Sequence, residues 1–304
     1  MKRKDFLSIR DWSTDELDDM LETAFAVKAD PAKYSRRLEG NGLALIFEKP
    51  SLRTRVTFEV GIRQLGGFAL TLTQAEINLG KREAVGDVAK NLERMVQGIV
   101  IRTFSHDIVE QMARDAHIPV INGLTDFSHP CQAMADYMTI RELKGNFQGL
   151  KIAYIGDGNN VAHSLIYGAV RFGAHLSVAC PAGYEPGREV LEWAGKNAGA
   201  TGCRLEVLQD PVAAAESADV IYTDVWASMG LEAEAAKRQQ VFRSYQVNDA
   251  LVRNAKPDYI FMHCLPAHRG EEVSASVMDS RHSVVFQQAE NRLHAQKAIL
   301  LKVM

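Results

Sequence analysis

Ser51, Arg53, Thr54 and Arg55 stand together within the stretch E-K-P-S-L-R-T-R-V-T-F-E, with Lys49 just before them. Hydroxyls and cations packed this closely suit a phosphate or a carboxylate, because guanidinium groups bind such anions bidentately. An apolar run of strand length, Gly42–Glu48, leads into the stretch. The residues Val56–Leu65 that follow are compatible with one helix face. Pro50 and Ser51 mark the turn, and Ser51 is placed to cap the helix. A helix N-terminus offers unpaired N–H groups and a partial positive charge, so an anion site is one reading. A capped helix carrying solvated arginines is the other.

Further polar motifs recur along the chain. D-F-S-H-P-C-Q puts His129 before Pro130 at a helix start, with Gln132 in the first turn. An imidazole there faces an anion or a carbonyl oxygen, or is simply structural. G-D-G-N-N at Gly156–Asn160 has the first two glycines of a dinucleotide fingerprint, but Val161 and Ala162 follow where a third would fall. No acidic residue closes the next strand, S-V-A-C-P, so a nicotinamide cofactor is disfavoured. Asn159 and Asn160 read instead as amides for a small polar substrate. T-D-V-W-A-S-M-G offers Asp224 and Ser228, an acid and a hydroxyl that suit an ammonium group or a capping loop. H-C-L-P-A-H-R-G-E-E-V places Cys264 past a strand, as an apolar filler or as a thiol with His263 or His268 for a base. No cysteine pair or metal-spaced set appears, so no zinc site is expected.

The elements that must position these residues alternate almost throughout. Strands are expected at 43–47, 68–72, 98–102 and 120–122, with helices at 13–28, 84–97, 105–117 and 131–143. The break K-G-N-F-Q-G follows. Beyond it, strands are expected at 151–155, 176–179, 204–208, 220–223, 259–262 and 284–286, with helices at 160–172, 187–197 and 212–216. This alternation implies an α/β chain with two doubly wound parallel sheets. The expected domains are 1–146 and 147–287, and a terminal helix, 288–304, lies back across the first. Every polar cluster follows the carboxyl end of a strand, where ligands bind in such sheets. One active-site cleft between the two domains is therefore expected.

The chain has 304 residues, 46% hydrophobic and 24% charged, enough for roughly two domains with substantial cores. A net charge of −3 argues against a nucleic-acid-binding surface. The four cysteines, Cys131, Cys180, Cys203 and Cys264, form no C-x-x-C pair, which points to a reducing, cytoplasmic setting. The N-terminus has no apolar core of signal-peptide length, and no apolar run approaches the ~20 residues of a membrane span.

Taken in order, S-L-R-T-R, H-P-C-Q, G-D-G-N-N, D-V-W-A-S-M-G, H-C-L-P-A-H-R-G-E-E-V and A-E-N-R at Ala289–Arg292 resemble the transcarbamoylase family over nearly the whole chain. S-x-R-T-R and H-P-x-Q mark the wider family; the S-M-G loop and H-C-L-P resemble its ornithine branch. The resemblance implies transfer of the carbamoyl group of carbamoyl phosphate to the δ-amine of L-ornithine, giving L-citrulline and phosphate. It implies a homotrimer or a multiple of trimers, and neither metal nor organic cofactor. Carried over by match, Ser51, Leu52, Arg53, Thr54, Asn78, Arg102, His129, Gln132, Cys264, Leu265 and Arg292 would meet carbamoyl phosphate. Asn160, Asp224, Ser228 and Met229 would meet ornithine. Arg102, His129, Asp224 and Cys264 would carry the catalytic work. Leu52 stands where many relatives have Thr, and Asn78 where some have Gln. Carbamoyl transfer to aspartate, putrescine or an acylated ornithine is the alternative within the family. A silent carbamoyl phosphate sensor and a dehydrogenase are the alternatives outside it.

Overall fold

The computed structural model describes residues 4–227, 230 and 232–304. The expected ornithine residues Ser228 and Met229 lie outside them. The chain divides into two compact units: residues up to Met138 together with Glu290–Met304, and Thr139–Ala289.

In the first unit, α1 (Thr14–Ala29) opens on a capping box in which Ser13 and Glu16 bond each other's backbone N–H. The sheet is built of β1 (Gly42–Phe47), β2 (Phe68–Thr73), β3 (Gly98–Arg102) and β4 (Val120–Leu124), all parallel, in the order β2-β1-β3-β4. Between the strands run α2 (Arg53–Gln64), the short α3 (Gln74–Ile77), α4 (Val85–Leu92) and α5 (His106–Asp115). β1 and β3 are buried along their whole length, which is why G-L-A-L-I-F and G-I-V-I-R carry no alternation. Ala44, Ile46, Val88, Ile99, Ile101, Val109 and Met112 pack one core layer. α6 (Pro130–Lys144) follows β4, and its last residues from Thr139 belong to the second unit.

The second unit has β5 (Lys151–Ile155), β6 (His175–Ala179), β7 (Leu205–Leu208), β8 (Val220–Thr223) and β9 (Ile260–His263), parallel in the order β7-β6-β5-β8-β9. Its helices are α7 (Asn160–Phe172), α8 (Arg188–Asn197), α9 (Pro211–Ala215), α10 (Ala235–Phe242), α11 (Asp249–Val252) and α12 (Ala275–Met278). Ile155, Ile221, Trp226, Phe242 and Phe261 share its core. α13 (Val285–Val303) closes the chain, and from Glu290 it belongs to the first unit, where Lys297 donates to Gln64 at 3.0 Å.

Three expectations fail locally. Ser51 is not the N-cap of α2: Leu52 holds that position in helical torsions, without a side-chain cap bond. The helix expected at 84–97 ends at Leu92, because by Gln97 the chain is already bonded to Gly42 on its way into β3. The strand expected at 284–286 is absent. Among the described residues the chain bridges β9 at Phe261 alone, whose N–H donates to the His282 carbonyl and whose carbonyl accepts from the Val284 N–H, and Val285 already begins α13.

Candidate active site

Each sheet reverses its winding once, between β1 and β3 in the first unit and between β5 and β8 in the second. Outside the carboxyl ends of strands at such a switch, the flanking helices diverge and leave a crevice. The polar clusters gather there.

In the first unit, Thr54 on the first turn of α2 accepts from two guanidinium groups. Arg292 Nη2 lies 2.9 Å from its hydroxyl and Arg102 Nη1 3.5 Å. Arg292 Nη1 donates to Gln132 Oε1 at 2.5 Å, and Gln132 Nε2 to Asp136 at 2.8 Å. Thr54, Arg102, His129, Gln132 and Arg292 are all buried. Burial, then the charges of Arg292, Arg102 and Arg53, hold the His129 imidazole well below the usual histidine range, so it is neutral at pH 7. The cluster therefore carries a strong positive field with a neutral N–H donor inside it. Ser51 and Arg53 are half-buried, and the Leu52 side chain is 73% exposed, so only its backbone can serve the site. Asn78 ends α3 in a left-handed conformation, φ 46°, and no hydrogen bond among the described residues ties its side chain to the cluster. Lys49 is buried and paired with Asp126.

In the second unit, Asp224 is the hub. Its Oδ2 accepts from Asn159 Nδ2 at 2.8 Å, and its Oδ1 from Cys264 Sγ at 2.9 Å and Val225 N at 2.8 Å. Asn159 Oδ1 meanwhile caps α7, accepting from Val161 and Ala162. Its amide is thus occupied at both ends, and it supports Asp224 rather than reading a substrate. Asn160, the first residue of α7, is buried beside it. Arg238 bonds Asp157 Oδ2 at 2.8 Å and the Trp226 carbonyl at 2.9 Å, which ties the segment after β8 to α10. Burial pushes the Asp157 carboxyl up to about 6, against the pull of Arg238.

The second glycine of G-D-G-N-N has a packing reason. A Cβ on Gly158 would lie 2.3 Å from the Pro186 nitrogen, so the close chain crossing alone requires glycine. Neither His263 nor His268 is shown as a base for the thiol. His263 Nδ1 accepts the Leu265 N–H at 2.8 Å, and its Nε2 faces Glu272 at 3.2 Å. Linear spacing also concealed two groups of metal-ligating types, Asp224–His263–Cys264 and His268–Glu271–Glu272. In the first, the hydrogen bonds on Asp224 and His263 Nδ1 compete with any ion. Sequence reasoning missed what Asn159, Arg238, His263 and Glu272 do. Only Asn159 left a signal, as an amide at a helix start.

Residues 4–142 match the carbamoyl-P binding domain of aspartate/ornithine carbamoyltransferases, and residues 148–303 the Asp/Orn binding domain of the same family. An ornithine carbamoyltransferase of Thermococcus kodakarensis is 57% identical over 99% of this chain and 96% of that protein. An anabolic ornithine carbamoyltransferase of Pyrococcus furiosus is 55% identical over 99% of this chain and 96% of that one. A solved structure of the ornithine carbamoyltransferase from Pyrococcus furiosus superposes with a TM-score of 0.96, covering 99% of this chain and 97% of that one.

Proposed function

The chain belongs to the aspartate/ornithine carbamoyltransferase family and is a carbamoyltransferase acting on ornithine; from that premise we propose how its residues divide the work. The cationic cluster of the first unit takes carbamoyl phosphate. Ser51, Arg53, Thr54 and Arg292, with the Leu52 N–H at the start of α2, hold the phosphate. Thr54 accepts from two arginines, which leaves its own hydroxyl proton to donate. Arg102 and neutral His129 donate to the carbamoyl oxygen, and Gln132 orients the group. Asn78 completes the set on its loop.

In the second unit, Asp224 and Ser228 take the α-ammonium of ornithine, and Asn160 and the Met229 backbone its α-carboxylate. Cys264 and the Leu265 carbonyl face the δ-amine. A primary amine of this kind has a pKa of about 10, so the site must favour its neutral form. The amine nitrogen bonds to the carbamoyl carbon, the bond from that carbon to the phosphate oxygen breaks with its electrons leaving on phosphate, and the leaving phosphate takes up the proton that the amine gives up. The oxygen charge that builds up on the way is where Arg102 and His129 act most strongly. Carbamoyl phosphate is already activated by its leaving group, so the step calls for neither metal nor organic cofactor.

We place the enzyme in the cytoplasm as a homotrimer or a multiple of trimers. Its cysteines are free thiols, and exposed apolar side chains flank the edge of its first sheet. No described helix is long and apolar enough to cross a membrane. The observation that carries the substrate reading is the ring of guanidinium groups around a neutral, buried His129. The test is transfer from labelled carbamoyl phosphate to ornithine, N-acetylornithine, putrescine and aspartate in parallel. Citrulline should dominate; preference for any other acceptor would overturn the assignment of the second unit.

A further inference from the structure

We propose that His263 and Glu272 are positioning residues: a buried dyad that sets the conformation of Cys264 and Leu265 and so aims the groups that face the δ-amine. The inference rests on the ornithine reading above.

The Leu265 N–H meets His263 Nδ1 at 2.8 Å. A backbone N–H only donates, so Nδ1 carries a lone pair and the ring proton sits on Nε2. That nitrogen lies 3.2 Å from Glu272 Oε1, in a setting where both side chains are 0% exposed. Glu272 Oε1 also accepts the His268 N–H at 2.5 Å, which fastens the carboxylate to the loop that follows. Burial alone would raise this carboxyl. The His263 ring and the His268 backbone N–H beside it hold it below the usual carboxylate range, so it is an anion. The 3.2 Å approach lacks hydrogen-bond geometry, so the carboxylate acts on the ring by its charge, favouring the proton on Nε2, while the Leu265 bond selects the tautomer.

The ring is held from its backbone side as well. The His263 N–H donates to Gln288 Oε1 at 3.0 Å, and Gln288 Nε2 to the buried Tyr222 hydroxyl at 3.2 Å. The element that this scaffold controls is not at rest by itself. Leu265 has φ 59°, a left-handed conformation that is unfavourable for a residue carrying a β-carbon. Such a conformation persists only where its surroundings over-determine it. The bond from Leu265 to His263 supplies that constraint one residue from Cys264, whose sulfur must reach Asp224. Released, Leu265 would relax toward ordinary torsions, turning its carbonyl and moving the thiol.

The tautomer can be read directly. In the wild-type protein with 15N-labelled histidine, the His263 ring, assigned by its loss in a variant, should show a proton on Nε2 and none on Nδ1. A proton on Nδ1 overturns the proposal, whatever the variants do. The kinetic arm uses the two half-replacements of an imidazole. His263→Asn keeps an acceptor where Nδ1 stood and loses the Glu272 partner; His263→Gln does the reverse. If aiming Leu265 is the task, H263Q should lose roughly tenfold to a hundredfold in kcat/KM for ornithine, the range expected for a group displaced by about an ångström. H263N should lose less. Glu272→Gln, which keeps the acceptor oxygen, should restore most of what Glu272→Leu loses. Carbamoyl phosphate affinity, set mainly by the cationic cluster of the first unit, should fall far less than kcat/KM for ornithine in all four, which separates lost aim from lost fold. Equal losses in H263Q and H263N, or wild-type turnover in E272L, would reject the dyad. Failure of the wild type to make citrulline would instead remove the ornithine reading and leave the tautomer result standing.

Discussion

His129 shows how much one buried side chain reveals. Burial, and then three arginines beside the imidazole, make protonation costly, so the ring works as a neutral donor and not as an acid. The sign of the resulting pH effect follows from linkage. The folded pKa is depressed, so below pH 6.5 the unfolded chain takes a proton that the folded chain refuses, and stability falls as pH falls. At pH 5.5 this penalty is about 1.4 kcal/mol if the folded ring stays neutral. His129→Gln keeps a neutral amide and removes the titration. Urea unfolding of the two proteins at pH 7.5 and 5.5 should therefore show the variant gaining by about that amount at the lower pH. A difference between the two proteins that does not change with pH would mean the ring is not held neutral. Cys264 is informative in another way. Its thiol points at Asp224 and His263 Nδ1 is taken by the Leu265 N–H, which favours direct attack by the amine over a thiocarbamate intermediate.

At the scale of elements, buried parallel strands were the most legible feature, because runs such as Gly98–Arg102 are apolar on both faces and end where a polar cluster starts. Thr54, Arg102, His129 and Gln132 of the first cluster stand where ligands are expected, at a strand end or a helix start; Arg292, inside α13, came only from the family resemblance. What could not be read was side-chain pairing across the sheet. Nothing near Asp157 in the sequence points to Arg238, and nothing near Val284 shows that an apolar triplet will turn into a helix after one bridge. The Asp157–Arg238 pair gives an element-scale prediction. Asp157 is raised to about 6 from 3.8, so the fold keeps a proton that the unfolded chain has released, and this contribution is lost as pH rises through 6. Arg238→Ala removes the partner and leaves a buried carboxylate, which costs about 3–5 kcal/mol while it is ionised. The loss should be largest at pH 8 and much smaller at pH 5, where the carboxyl is protonated. Thermal and urea unfolding across that range check it; a pH-independent loss would show that Arg238 matters through its bonds to the Trp226 carbonyl and Glu234 rather than through Asp157.

At the scale of the whole molecule, the first sheet presents an open edge. β2 is its last strand, with Phe68 and Leu70 each 49% exposed. On α2, Leu52, Val56 and Val60 are exposed at 73%, 47% and 38%, at a spacing of four residues, which lines them along one helix face. Thr71 and Arg55 both bond Glu59, so α2 is fastened to the edge strand and the stripe has a fixed position. An exposed strand edge and an apolar stripe invite association, and proteins usually cover or charge such edges. If this face is where copies of the chain meet, the wild type should sediment as a trimer or a multiple. The double variant Val56→Asp with Phe68→Asp should then shift toward the monomer, because an unpaired charge buried in an apolar contact costs several kcal/mol. Neither residue belongs to the proposed site, so carbamoyl phosphate binding reports on the fold of the variant. Association also stabilises by mass action: the wild-type Tm should rise with protein concentration, and that of the double variant should not. A double variant that sediments like the wild type and keeps the concentration dependence would place the assembly contact on another face.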